Sequence, residues 1–168
     1  GGPAQAVPRT LVTDEEILPE LFKNKLRDSE SSGRYDVVNK QGYMGAYQFG
    51  NKRLEDYKNA TGEKFTKKEF LENNELQDKV FNWHVKDIVK YINNNNLDKY
   101  LGTEVKGVTV TLNGLIAMAH LGGRYGMRRY VESGFSDAKD KNGIPLYNKE
   151  DSNGTSLFDY LKKFELID

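Results

Sequence analysis

The sequence predicts a mainly α domain with at most a small β element. Three observations carry that expectation. Apolar residues recur at helical spacing through Leu76, Val80, Phe81, Val85, Ile88, Val89 and Ile92, the one-sided stripe of a buried helix face. A Ser or Thr followed three residues later by an acid, the start signal of a helix, occurs at Thr13 with Glu16, Thr66 with Glu69 and Ser156 with Asp159. Only one stretch, 107–112, alternates Val and Thr as a strand would.

Taken in order, the first helix is expected to open at Thr13, with Asp14 and Glu15 favourable in its first turn. Pro19 lacks a backbone donor, so the helix either kinks or begins there. Ile17, Leu18, Leu21, Phe22 and Leu26 form its apolar face. Stepping by four from Leu18 gives Phe22, Leu26 and then Glu30, a carboxylate where another Leu is expected. A glycine-punctuated segment, 31–50, has little helical pattern. A short helix is expected over 49–59, another from Thr66, and the longest over 74–92. The segment 107–112 reads as a short strand, and the small apolar residues 113–121 as a buried helix. Residues 133–154, rich in Gly, Asn, Asp and Lys, read as a long loop. A last helix follows Ser156, with Leu157, Tyr160, Leu161 and Phe164 facing inward. The total is six to eight helices.

Composition narrows the function. The chain has 168 residues, the size of one domain. Residues 1–12 read as a linker or cloning scar and 13–168 as the folded domain. Twenty-five Lys and Arg balance twenty-five Asp and Glu, so no basic excess points to nucleic acid. No Cys is present, which removes disulfide scaffolds, thiol nucleophiles and thiolate zinc sites. Two His leave little room for a His-rich metal site or a Ser-His-Asp triad. No apolar run approaches the ~20 residues of a membrane span, and the first residues show no signal-peptide pattern. A removed signal or a missing neighbouring domain stays open.

The chemistry concentrates in Glu30-Ser31-Ser32-Gly33-Arg34-Tyr35 and Gly45-Ala46-Tyr47-Gln48-Phe49-Gly50. A carboxylate ending a helix feels the negative end of its dipole, and a partly apolar pocket adds to the effect. Both disfavour the charged form, as a general acid near neutral pH requires, and glycoside cleavage needs such an acid. The plain alternative is a Glu turned to solvent.

Glu30-Ser31-Ser32-Gly33 resembles the Glu-Ser motif of the soluble lytic transglycosylase and goose-type lysozyme superfamily. Gly45-Ala46-Tyr47-Gln48-Phe49 resembles its Gly-Leu-Met-Gln segment, with Gln48 at the matching position. Ala119-His120-Leu121-Gly122-Gly123 resembles its Ala-Tyr-Asn-Ala-Gly motif, and Tyr160 the Tyr of its final helix. The order agrees from Glu30 to Phe164. The nearest likeness is a branch with Tyr-Gln-Phe-Gly and Ala-His-Leu-Gly-Gly signatures. Against the better-known enzymes, His120 and Leu121 replace Tyr-Asn, and Tyr47 replaces Met.

The resemblance implies a lysozyme-like helical catalytic domain over 13–168 that takes the glycan strand of peptidoglycan. Glu30 would protonate the bond between N-acetylmuramic acid and N-acetylglucosamine, then act as base on the muramyl 6-hydroxyl to leave a 1,6-anhydro end. Ser31, Tyr47, Gln48, His120, Tyr125 and Tyr160 are the expected substrate-binding residues, with Tyr35 and Tyr43 as further aromatic candidates for stacking on sugar; any two of Tyr35, Tyr43, Tyr47 and Tyr125 equally suit the core. A true muramidase would need a second acid, for which Asp36 is the nearest candidate; Asp36 equally suits a turn. No cofactor and no metal is called for. Asp137, Asp140, Asn142, Asp151 and Asn153 lack the acidic spacing of an EF-hand. His84 on the apolar stripe reads as structural, Trp83 as core or groove wall, and the charged stretch 63–68 as a solvated face. The expected partner is the glycan strand, in the periplasm or outside the cell, with an immunity or inhibitor protein as a further partner. Two other readings stand beside this one: a hydrolytic muramidase and a non-catalytic glycan-binding module.

Overall fold

A computed structural model describes residues 20–166. The described residues are mainly helical. They hold six α-helices: α1 Glu20–Ser31, α2 Asn51–Thr61, α3 Lys67–Leu71, α4 Asn74–Asn94, α5 Leu112–Glu132 and α6 Leu157–Lys163. One short antiparallel hairpin joins β1 Glu104–Val105 to β2 Val108–Thr109. No helix among the described residues is long and apolar enough to cross a membrane. The described chain forms two compact units, 20–87 and 88–166.

Local chemistry explains the starts. Thr66 and Ser156 each cap their helix through the reciprocal bonds expected of a capping box, with Glu69 and Asp159 respectively. Thr13 with Glu16, the expected opening of the first helix, lies outside the described residues. The expected strand over 107–112 is shorter than its alternation suggested. Lys106 and Gly107 both adopt positive φ, the requirement of a tight two-residue hairpin turn. Thr111 then caps α5 by accepting from the Gly114 amide, so Leu112 is already helical.

In the first unit, Phe22 and Leu26 of α1 are fully buried, as the four-residue row predicts. Leu21 is not part of that face. It is 67% exposed, because one residue along the helix places it about 100° around from the row of Phe22 and Leu26. The core of this unit is aromatic. Tyr47 stacks on Phe81 with ring centroids 4.1 Å apart and an angle of 8°. Phe49 meets Phe70 and His84 edge-on, and Tyr57 meets Trp83 in the same way.

In the second unit, α5 packs against α6 through glycines. A Cβ on Gly114 would lie 2.6 Å from a Leu161 methyl, and one on Gly122 would lie 2.7 Å from a Leu157 methyl. Positions 114 and 122 are two turns apart, as 157 and 161 are one turn apart, so the two helices run antiparallel along this seam. Gly123 then interrupts α5 with φ 81° and ψ 161°, a conformation essentially restricted to glycine.

Candidate functional site

Glu30 is the penultimate residue of α1 and is half-buried. It extends the row of Phe22 and Leu26 to the helix end. The chain leaves the helix through Ser32 at φ 57° and Gly33 at φ 78°. Their amides return to the carbonyls of Asp28 and Arg27, satisfying acceptors that a helix end leaves open.

Ser31 connects the two motifs of this unit. Its hydroxyl donates to the Ala46 carbonyl at 2.8 Å, with a longer contact of 3.1 Å to the Arg27 carbonyl. The last turn of α1 is thereby tied to the tight turn at 45–48. That turn is closed by the Gln48 amide donating to the Gly45 carbonyl. The Gln48 side chain bonds the same carbonyl through Nε2 at 2.9 Å. Ser31 and Gln48, expected to bind substrate, thus both donate to backbone carbonyls that shape the turn.

Tyr47 corrects the expectation of an aromatic platform for sugar. It has no exposed surface; its ring lies on Phe81 and edge-on to Tyr35. Its hydroxyl donates to Asp78 at 2.8 Å, as does that of Tyr35. Arg27 completes the cluster by donating to the Tyr35 hydroxyl at 2.6 Å. Burial, followed by the bond to Asp78, pushes both phenols above their usual range. Tyr43, by contrast, is 46% exposed and remains available for stacking.

Asp36 sits on an exposed bend and pairs with Arg34 at 3.4 Å. His84 is buried, and its Nδ1 accepts from Arg53 Nε at 2.8 Å. Arg53 also bonds Asp87 at 2.6 Å and lies over the Trp83 ring. His84 and Trp83 therefore belong to the packing of α2 on α4, the structural role that the place of His84 on the stripe suggested.

The second unit carries the remaining candidates. His120 is half-buried near the end of the first segment of α5, three residues before the Gly123 break. Of the two glycines that follow, Gly122 admits Leu157 of α6, whereas Gly123 faces open space. Tyr160 is buried, its ring edge-on to Phe164, which fits the packing role its helical spacing allows. Tyr125, just past the break, is 74% exposed and meets Tyr91 edge-on at 6.0 Å. The motif at 119–123 and the helix bearing Tyr160 are thus packed together within this unit.

The acidic loop residues have a different use. Asp140 accepts through Oδ1 from the amides of Asn142 and Ile144. Asp151 does the same with Asn153 and Thr155. Asn39 repeats the arrangement with Gln41 and Tyr43. In all three, a glycine at the fourth position takes positive φ, so Asx-x-x-Gly-x is one turn device used three times.

The residue that sequence reasoning missed is Gln77 of α4. It is fully buried and all its bonds reach backbone. Oε1 accepts from the Ala46 amide at 2.8 Å, while Nε2 donates to the carbonyls of Tyr35 at 2.9 Å and Phe70 at 3.0 Å. Its signal was an amide on a buried helix face, four residues before Phe81.

Compared with protein-family models, curated proteins and solved structures, the chain matches none.

Proposed function

We propose that this protein cleaves the glycan strand of peptidoglycan between N-acetylmuramic acid and N-acetylglucosamine. Glu30 acts as general acid and then as base, in the manner of a lytic transglycosylase. The observation that supports this most is the bond from Ser31 to the Ala46 carbonyl. It joins the two segments, 30–33 and 45–49, whose resemblance to the superfamily was independent in sequence. A half-buried carboxylate at the end of a buried helical row, beside a turn held by hydrogen bonds, is an arrangement suited to a general acid.

In this reading Glu30 protonates the glycosidic oxygen as the bond breaks. The resulting carboxylate takes the proton of the muramyl 6-hydroxyl as that oxygen attacks the anomeric carbon. Bond formation replaces bond cleavage, no water is consumed, and the product carries a 1,6-anhydro end. The place of Asp36 on an exposed bend, paired with Arg34, favours this route over one that needs a fixed second carboxylate. Tyr43 and Tyr125 are the exposed aromatic residues proposed to stack on sugar, each on its own unit. Work of this kind belongs in the periplasm or outside the cell.

Digestion of purified sacculi, followed by mass spectrometry of the released muropeptides, tests the reading. Anhydro ends are expected. Reducing ends would replace the mechanism with a muramidase's, and binding without release would leave a glycan-binding module. Glu30→Gln is expected to lower release by about 10²-fold or more, the usual worth of a general acid. Retained activity in a folded Glu30→Gln would show that another group is the acid.

A further inference from the structure

We infer that Gln77 is a positioning residue for this reaction: its buried amide holds the Ala46 backbone beneath Ser31 and thereby sets the last turn of α1, from which Glu30 projects. The inference rests on the proposed role of Glu30. Its own support is a pair of hydrogen bonds that meet on Ala46, from its amide to Gln77 and from Ser31 to its carbonyl, one residue from Glu30.

The path starts at a side chain with no freedom. Gln77 is fully buried, and its amide serves one donor and two acceptors from three separate segments. An amide so engaged has one orientation, because a flipped group would set N–H against N–H and oxygen against oxygen. It approaches the turn so closely that a Cβ on residue 45 would lie 2.3 Å from Oε1. Glycine is therefore required at 45 by contact as well as by its φ of 79°.

Ala46 is then gripped on both sides. Its amide donates to Gln77, and its carbonyl accepts from Ser31. Ser31 is the last residue of α1 and the direct neighbour of Glu30. The bond from the Ala46 amide to Gln77 is 2.8 Å long and buried. Loss of the Gln77 amide would free the 45–48 turn to shift, and with it the acceptor that anchors Ser31. A displacement of about 1 Å at a reacting group can cost on the order of 10²-fold in rate.

The test measures turnover on saturating sacculi, and the sacculus concentration giving half of it. It compares the wild type with Gln77→Met, Gln77→Glu, Ser31→Ala and the paired variants, below each variant's melting transition. Gln77→Met keeps the length and loses the amide. It is expected to reduce saturated turnover by about tenfold to a hundredfold, with the half-saturating concentration nearly unchanged. Gln77→Glu keeps an acceptor for the Ala46 amide. It is expected to recover activity as the pH falls, since the protonated acid regains one donor. Because both residues act through Ala46, Ser31→Ala is expected to cost much less in the Gln77→Met background than alone.

Saturated turnover of folded Gln77→Met within about twofold of wild type would overturn the inference, as would single effects that simply multiply in the pair. If Gln77→Met does not fold, the same pairing is read with Gln77→Glu, and multiplication again overturns it. Failure of the parent reading looks different: the wild type releases nothing, or Glu30→Gln releases as fast as wild type.

Discussion

The two units hold their motif-bearing segments in opposite ways. In 20–87, polar side chains reach the backbone: Ser31 and Gln77 clamp Ala46, and Asp78 collects the Tyr35 and Tyr47 hydroxyls. In 88–166, α5 and α6 meet through absent side chains, at Gly114 and Gly122. A hydrogen-bonded clamp is directional and fails when one atom is lost. A glycine seam is a matter of volume and yields gradually as the facing leucine tips move. The first arrangement fixes the position of single atoms; the second fixes only how closely two helices approach.

This contrast can be broken from the polar side first. Gly45→Ala should have the largest effect on stability, about 3 kcal/mol or more, because strain at positive φ adds to a clash with the fixed Gln77 amide. Chemical denaturation measures it, and a loss under about 1 kcal/mol would mean that Gln77 is free to move away.

Tyr47→Phe should cost about 2 kcal/mol through the lost bond to Asp78. It also has a pH signature. A phenol whose ionisation is raised by folding adds stability that is fully present below the unfolded value, about 10, and is lost as pH rises toward the folded value. The wild type should therefore lose stability in alkali more steeply than Tyr47→Phe, with tyrosinate absorbance appearing on unfolding. Equal slopes would rule out Tyr47 as a source.

On the glycine seam, Gly114→Ala should cost about 1 kcal/mol net, since it meets Leu161 and also Thr111 Oγ1 at 3.2 Å. Gly122→Ala should be close to neutral. There the Leu157 tip is the only tight contact, with its next atom 3.6 Å away, and alanine favours the helix by up to about 1 kcal/mol. Thermal melts that rank the two in reverse would contradict a volume-controlled seam.

A small effect is also expected at the surface. Lys79, then Tyr57, hold the Glu63 carboxyl below its usual range. A depressed carboxyl stabilises above its unfolded value and loses that contribution as pH falls through the folded one. Glu63→Gln should thus cost less than about 1 kcal/mol at neutral pH and nothing in strong acid. A cost independent of pH would assign the residue a packing role instead.

Local chemistry was legible in the sequence where it stayed local. The capping boxes at Thr66 and Ser156 form as expected, because their partners are three residues away. The buried row of α4 follows from periodicity, and the burial of 113–119 from a run of small and apolar residues. The hairpin was misjudged because positive φ at Lys106 and Gly107 decides it, not the alternation of Val and Thr. Between stacking on sugar and packing in the core, the local sequence left Tyr47 open, because Phe81 and Asp78, which draw it inward, lie more than thirty residues away.

The order of residues thus settles where helices start, which faces are apolar, and that Glu30 ends a buried row, since each depends on neighbours within a turn or two. Packing settles what faces what. Gln77 on Ala46, Ser31 on Ala46 and Tyr47 on Asp78 join positions 15 to 31 residues apart. A hydrogen bond forms only when both partners arrive within a few tenths of an ångström and the right angle, and that coincidence is produced by the fold rather than written in any local stretch.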